Sequence, residues 1–258
     1  MVIGICQTDI VFENKEHNLA VAEQCISACK EKGATLVLFP EMSMTGFTME
    51  PEKVYEEENG ITYRTMADYA GRYRVKIGYG YVSRKNDGFY NTYVIMDEKG
   101  TVICSYDKIH PFSYAGEDQH YKKGDRLAFC EIEGITICPL ICYDLRFPEL
   151  FTVAAKKADL ITVAANFGGP RDEHWQTLLK ARAMENQVFV AGINRVGEDN
   201  ATYYKGHSMV VGPRGNVIHM VDEKEGISIA DINKEEITEY KKEFPVYLDR
   251  RPEIYVNL

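Results

Sequence analysis

Three residues of complementary chemistry each follow an apolar run with the character of a strand. LVLFP precedes Glu41, VICSYD precedes Lys108 and GITICPLI precedes Cys142. In α/β folds ligands bind beyond the carboxyl ends of strands, where the loops gather. Three such ends from different strands can converge on one point. A carboxylate, an ammonium and a thiol together make a workable covalent hydrolase. The carboxylate removes the thiol proton, and the thiolate attacks an electrophilic carbon. The ammonium and a backbone N–H hold the negative charge that develops on oxygen. The leaving amine collects its proton from the glutamic acid, and water then releases the acyl group.

Each residue also has a plainer reading. A free cysteine is ordinarily a small buried hydrophobe. Cys142 is set apart because Tyr-Asp-Leu-Arg-Phe-Pro-Glu follows it and turns from strand towards helix. A cysteine near such a turn can gain thiolate character from helix amides and a nearby cation. Cys138 lies inside the same strand and reads as structural. Glu41 alone suits a solvated loop, yet it ends a buried strand, where an unpaired carboxylate is costly. Lys108 has the same problem, and the two solve it for each other. Phe-Pro-Glu recurs at Phe147 to Glu149, but Glu149 sits where it favours the first turn of a helix and reads as structural.

The elements that must position these residues alternate. VIGICQTD, ATLVLFPE, KIGYGYV, FYNTYVIM and TVICSYDK read as strands of the first half, the last two joined by a turn at Asp97 to Gly100. Glu13 to Lys32 has helical periodicity through Leu19, Ala22, Cys25, Ile26 and Cys29 and is closed by Gly33; a second helix runs from Ile61 to about Arg74. Met49 to Asn59 reads as irregular. In the second half, strands GITICPLIC, ADLITVAAN and QVFVAGINRV alternate with helices over Phe147 to Lys157 and His174 to Asn186. Pro148 suits the first turn of the former. HSMVVG and NVIHMV pair around Pro213-Arg214-Gly215, GISIADI follows, and the tail from Phe244 has no helical period. The inserted hairpins argue against a pure doubly wound sheet and for antiparallel edges on mixed sheets. Two sheets packed together with helices outside would bury the apolar strands of both halves. No linker is rich in Gly, Pro or Ser, so residues 1–258 read as one domain.

Composition narrows the function. A chain of 258 residues and 29.4 kDa exposes roughly 11,500 Å² when folded and buries about 73% of its extended surface. The net charge of -9 gives no footing for nucleic acid. No apolar run is long enough to cross a membrane, and MVIGICQTDI reads as a strand without an export signal. Seven cysteines, an odd number without a Cys-x-x-Cys pair, suit a reducing cytoplasm. Cys25 and Cys29 are four apart, as are Cys138 and Cys142, and no metal site is expected from them. Gly78 and Gly80 lack the third glycine and the following helix of a dinucleotide fingerprint; Walker-type and Gly-x-Ser-x-Gly motifs are also missing.

The segments LVLFPEMSMTGF, SYDKIHPF and ICYDLRFPEL resemble those of the nitrilase superfamily, the carbon-nitrogen hydrolases with a Glu-Lys-Cys triad. The resemblance runs over essentially the whole chain, including ITVAANFGGPRDEHWQTLLKARAMENQVFVAGINRVG. It implies an α/β fold, a four-layer αββα sandwich of two mixed sheets, with Glu41, Lys108 and Cys142 as triad and no cofactor. It also implies a homodimer formed through helical faces. A second glutamate between the lysine and the cysteine is usual in the family, and Glu117, seven residues before Gly124, fits that place. The backbone N–H of Tyr143 would join Lys108 in an oxyanion hole.

AGEDQHYKKG, NFGGPRDEHW and KARAMENQVFVAGINRVG look most like the omega-amidase branch. That branch hydrolyses the terminal amide of 2-oxoglutaramate and 2-oxosuccinamate to the dicarboxylate and ammonia, and it resembles the amidase of deaminated glutathione. Such a substrate needs a cation for its distal carboxylate. Arg146 and Arg171 are candidates, because a guanidinium presents a fork that matches a carboxylate. A salt bridge holding a loop or a dimer interface is the plainer role for either. Trp175 could wall the pocket or simply pack there, and Tyr114 and Phe167 could line its mouth. Rival readings are an N-carbamoyl-amine hydrolase, a deaminated glutathione amidase or an aliphatic nitrilase on the same triad, a non-catalytic binding protein, and a Cys-His thiol protease using His110, a residue that in the family only supports its loop.

Overall fold

A computed structural model describes residues 1–199 and 202–255. In the first of two six-stranded sheets, β1 (Val2–Gln7), β2 (Leu36–Leu38) and β3 (Lys76–Lys85) run parallel. β4 (Gly88–Met96) and β5 (Val102–Asp107) extend it as antiparallel hairpins. The second sheet opens with the short edge strand β6 (Cys130–Ile132) and has a parallel centre of β7 (Ile135–Ile141), β8 (Leu160–Ala165) and β9 (Phe189–Asn194). β10 (Val196–Glu198) and β11 (Tyr203–Lys205) form a separate ribbon. β12 (Met209–Val211) and β13 (Val217–Met220) complete the second sheet, and β14 (Gly226–Asp231) crosses back to lie antiparallel to β1. The spatial orders are β14-β1-β2-β3-β4-β5 and β13-β12-β9-β8-β7-β6. Parallel centres with antiparallel edges are the mixed sheets expected from the inserted hairpins.

In chain order the helices are α1 (Lys15–Glu31), α2 (Pro51–Val54), α3 (Ile61–Tyr73), α4 (Glu117–His120), α5 (Pro148–Ala154), α6 (Asp172–Asn186), α7 (Lys234–Glu243) and α8 (Pro252–Tyr255). α1 starts where the Asn14 side chain accepts from the His17 N–H at 3.1 Å, satisfying one of the orphan donors of a first turn. Its buried stripe is Asn18, Leu19, Ala22, Ile26 and Cys29, while Cys25 is only partly buried. The turn at Asp97 forms as expected: Asp97 Oδ1 accepts from the N–H groups of Lys99 and Thr101, both at 2.9 Å.

Strand alternation divides the core. Ile3, Ile5, Leu36 and Leu38 face inward between the sheets, in one cluster with Leu140, Ile141 and Val163. Cys6, Val37 and Ile77 face outward against Ile26 of α1 and Met66 of α3. The inner cluster continues through the second sheet to Phe151 of α5 and Trp175 and Leu179 of α6. The result is four layers, helix on sheet on sheet on helix. The accessible surface of 11933 Å² matches the size scaling. No helix among the described residues is long and apolar enough to cross a membrane.

Several elements depart from the sequence reading. β6, the β10–β11 ribbon and α7 were not expected. α2 interrupts the irregular stretch, and beyond Phe244 there is a 3₁₀ turn at Val246–Asp249 and the single turn α8. Apart from α7 these pieces are only a turn or a few residues long, and α7 buries only Ile237, so a core-facing pattern carries little signal there. The strand read through QVFVAGINRV is divided at Arg195, a fully buried cation over the Tyr204 ring at 4.3 Å that ties the ribbon to Asp9 and Asp199.

Leu140 is fully buried on β7, two residues before Cys142. Leu140→Ala should lower unfolding stability by about 2–5 kcal/mol, read as a lower urea midpoint at unchanged slope. A loss well below 1 kcal/mol would mean that the two sheets do not pack through this strand.

Candidate active site

Glu41 lies three residues beyond β2, and the chain there is pressed against β3. Gly80 is the reason it fits: a Cβ on Gly80 would stand 2.5 Å from the Met42 nitrogen and 3.1 Å from the Glu41 Cα. Of the glycines of KIGYGYV, Gly80 thus serves backbone approach, while a Cβ on Gly78 would meet the Leu38 and Tyr93 side chains. Met42 takes a left-handed φ of 44°, a conformation that costs a residue with a Cβ of order 1–3 kcal/mol. Lys108 directly follows β5 and is held by its backbone, its N–H donating to Asn91 O at 2.9 Å and its carbonyl accepting from Gly124 N at 2.8 Å. Gly124 has no room for a side chain, since a Cβ would meet Asp107 O at 2.1 Å.

Lys108, Glu41 and Glu117 form one dry cluster, none more than 1% exposed. Lys108 Nζ donates to Glu41 Oε1 at 2.7 Å and to the Glu117 oxygens at 2.8 and 3.1 Å. It also stands 5.3 Å from the Phe47 ring centroid. Burial works against its charge, but Glu117 and Glu41 outweigh that and hold the ammonium above its usual range. Burial pushes the Glu117 carboxyl up; Lys108 opposes this and the Glu41 charge adds to it. The Glu117 carboxylate also accepts from the backbone N–H of Phe112.

Two asparagines complete the cluster. Asn91 Nδ2 donates to Glu41 Oε1 at 2.7 Å and to Glu117 Oε1 at 2.9 Å. Asn166 directly follows β8 and serves Glu41 three times: its N–H donates to Oε2 at 2.9 Å, and its Nδ2 to the Glu41 carbonyl at 2.7 Å and to Oε2 at 3.3 Å. Sequence reasoning missed both. The strand-end argument that found Glu41, Lys108 and Cys142 applies equally to Asn166 after LITVAA. Asn91 sits inside FYNTYVIM, where its one signal is a polar residue in an apolar run.

Cys142 begins a 3₁₀ segment, Cys142–Arg146, that follows β7 directly. Its φ of 43° is left-handed and marks a sharp turn out of the strand. Asp144 pins this turn to the Lys108 loop. Its carboxylate accepts from Ile141 N at 3.0 Å, from Tyr106 Oη at 2.8 Å and from His110 N at 3.1 Å, and it meets His110 Nδ1 at 2.8 Å. The His110 ring stacks on Phe147 at 3.8 Å, so its contacts are with the turn's scaffold and not with the thiol. The Cys142 thiol does not have the lowered pKa expected from its turn. Burial pushes it well up and the Glu41 charge pushes further, with Lys108 and the Asn166 N–H pulling the other way. A resting thiol of this kind needs a base to become a nucleophile. Tyr143 is the next residue of the 3₁₀ segment, and its ring packs on Phe112 at 4.9 Å and Phe147 at 5.2 Å.

Cys142 opens on a cavity of ≈ 260 Å³ whose walls include Tyr114, Phe167, Arg146, Arg171 and two unanticipated residues, Thr202 and Tyr204. The Arg146 guanidinium lies 5.5 Å from the Phe167 ring and contacts His174 Nδ1 at 3.2 Å. That of Arg171 lies 5.4 Å from the Phe112 ring. Among the described residues neither arginine forms an ion pair with a carboxylate, so the loop-holding salt bridge is not their role here. Trp175 does not reach the cavity. It is fully buried behind Phe167, ring to ring at 5.3 Å, and its N–H is spent on His207 O at 2.9 Å; the start of α6 turns it into the core. Glu149 is exposed in the first turn of α5, as read from the sequence.

The carbon-nitrogen hydrolase family model matches residues 2–242. The chain is 34% identical over 256 residues to a 2-oxoglutaramate amidase of Bacillus subtilis (strain 168), covering 98% of each. It is 36% identical over 219 residues to the omega-amidase YafV of Escherichia coli (strain K12), covering 84% of each. Among solved structures, a CN-hydrolase superfamily protein of Xanthomonas campestris with an arsenic adduct in its active site superposes with a TM-score of 0.89 at 30% identity, over 97% of both chains. A buried cysteine turn, a shared lysine and a matching family model over nearly the whole length agree: the chain belongs to the carbon-nitrogen hydrolases, enzymes that act on C–N amide bonds through a cysteine.

Proposed function

We propose that the protein is an omega-amidase, hydrolysing the terminal amide of 2-oxoglutaramate or 2-oxosuccinamate to the dicarboxylate and ammonia. The observation that carries this reading is the pair of guanidiniums, Arg146 and Arg171, that line the Cys142 cavity and, among the described residues, form no ion pair with a carboxylate. A short acyl amide bearing a distal carboxylate answers both needs of such a cavity. The relatives named for 2-oxoglutaramate and omega-amide hydrolysis point the same way.

In the proposed mechanism Glu41 takes the Cys142 proton as the sulfur attacks the amide carbon. Lys108 and the Tyr143 N–H receive the oxyanion. Glu41 returns the proton to nitrogen, ammonia leaves, and an acyl-cysteine thioester remains. Water then attacks with Glu41 again as base, the thiolate departs, and the carboxylate product is released. Glu117 holds the Lys108 ammonium in place. Arg171 anchors the distal carboxylate, Arg146 lies beside it, and Tyr114 and Phe167 supply walls. The same proposal takes the protein to be a cytoplasmic homodimer joined through its helical faces, where Val153 of α5 and Met184 of α6 are about half exposed.

Ammonia release from a panel tests the substrate class: the two 2-oxo monoamides, glutamine, an N-carbamoyl amino acid, deaminated glutathione and an aliphatic nitrile. Turnover confined to another member of the panel, or carbon dioxide released with the ammonia, would sink the omega-amidase reading. Cys142→Ala and Glu41→Gln should each cut turnover by at least about 10³-fold while leaving the urea midpoint nearly unchanged for Cys142→Ala. Near-wild-type activity in either would remove that residue from the mechanism. Arg171→Ala should raise KM for carboxylate-bearing amides by roughly 10- to 100-fold, the loss of one charge-assisted pair, and leave neutral amides little changed. Equal effects on both classes would refute the anchor. Sedimentation equilibrium should return twice the chain mass of 29.4 kDa; a monomer at micromolar concentration would contradict the dimer.

A further inference from the structure

Asn91 stands in the middle of β4, at no strand end and in no motif, and is 1% exposed. One amide nitrogen reaches both carboxylates of the cluster, at 2.7 Å for Glu41 and 2.9 Å for Glu117. That nitrogen carries two N–H bonds, so each carboxylate receives one. The other end of the amide, Oδ1, is buried without a partner among the described residues, and an unmet buried acceptor is costly. Turning the amide over gives no relief, because Oδ1 would then face two carboxylates. The orientation is the one that two ionised glutamates select. The backbone fixes it in place, through the register with Val82 on β3 and the bond from Lys108 N to Asn91 O.

We infer that Asn91 is a positioning residue that lets Glu41 and Glu117 stand ionised side by side, by giving each one N–H while Lys108 is shared between them. The inference rests on the proposed hydrolase reading of the cluster. The titratable groups facing the two carboxylates are Lys108 from the end of β5, Cys142 from the turn after β7 and Tyr121 from the end of α4. Lys108 is the one cation in this set, and it cannot neutralise two carboxylates. Without the two N–H donors the glutamate pair takes up a proton at higher pH. A protonated Glu41 no longer accepts the thiol proton, so Cys142 loses reactivity on the acid side first.

The test is the pH dependence of Cys142 alkylation by iodoacetamide, followed by mass spectrometry of the Cys142 peptide. The sulfur forms an S–C bond, iodide leaves, and the thiol proton passes through Glu41 to water. In Asn91→Asp, close to isosteric but with a third carboxylate in place of the donor, the acid limb should move up by about one pH unit or more, a tenfold loss of rate on that side. Asn91→Ala should move it in the same direction. If Asn91→Asp does not fold, Asn91→Ser, with one donor in place of two, decides by the same shift. An acid limb left at its wild-type position, with or without a uniform fall in rate, would overturn the inference, since lost packing slows alkylation alike at every pH. A wild-type profile with no acid limb would overturn it too. No substrate enters this measurement, so a shifted limb beside a silent ammonia panel would count against the substrate reading alone.

Discussion

One ammonium shared by two carboxylates in a buried cluster is the constraint around which this molecule is arranged. Lys108, Glu41 and Glu117 carry a formal charge of minus one and are essentially unexposed. Breaking such a buried group by removing one partner costs about 3–5 kcal/mol, while keeping it whole is near neutral. The cluster is therefore not what stabilises the fold; the fold stabilises the cluster. The inter-sheet core holds β2 and β5 of one sheet against β7 and β8 of the other, and the site is filled from the ends of those strands. Glu41 and Asn166 meet across 125 residues of sequence, Glu41 and Lys108 across 67.

The two site residues nearest the chemistry also carry backbone strain. Met42, next to Glu41, and Cys142 both take φ near +44°, at 44° and 43°. Each strained turn is overdetermined by its surroundings, as strain at a functional site must be. At Met42 the bare Gly80 admits the chain. At Cys142 the Asp144 carboxylate collects four donors' worth of contact from Ile141, Tyr106 and His110. Tyr106 and His110 flank Lys108 in sequence, so the same carboxylate that shapes the cysteine turn ties it to the lysine loop. A histidine two residues from the lysine thus works as scaffold.

What was legible in the sequence follows from these facts. Glu41, Lys108 and Cys142 stand where apolar strands stop, and strand ends are readable from hydrophobic pattern alone. Asn166 obeyed the same rule and was passed over because an amide has no obvious acid-base role; it is a donor that only matters once a carboxylate is known to face it. Glu117 was readable only through family resemblance, since EDQH in a polar loop gives no sign of burial. Asn91 was hidden because its meaning depends on two glutamates at separations of 50 and 26 residues. Trp175 was ambiguous because adjacency to Arg171 says nothing about which way the start of α6 turns. The raised Cys142 thiol was missed because a local turn suggested stabilised charge, whereas burial and Glu41 dominate.

A cluster left with a net negative charge creates a problem for any anionic substrate. On the proposed reading the acyl amide brings its own carboxylate into a cavity that lies beside a cluster in which Glu41 and Glu117 outnumber Lys108, in a protein of net charge -9. At low effective dielectric such repulsion is worth several kcal/mol over a few ångströms. Arg146 and Arg171 reverse the sign of the cavity wall without touching the cluster. Each guanidinium lies near an aromatic ring, Phe167 and Phe112 respectively, a favourable cation–π placement; one N–H group of Arg146 meets His174, and the other donors of its fork remain for a carboxylate. On the proposed reading the cavity is a gradient, with positive charge holding the distal carboxylate and a negative cluster waiting at the amide end to accept a proton. The neutral asparagines serve the negative end for the same reason. A second cation there would neutralise the base, whereas amide N–H groups satisfy the carboxylates and leave Glu41 able to take the thiol proton.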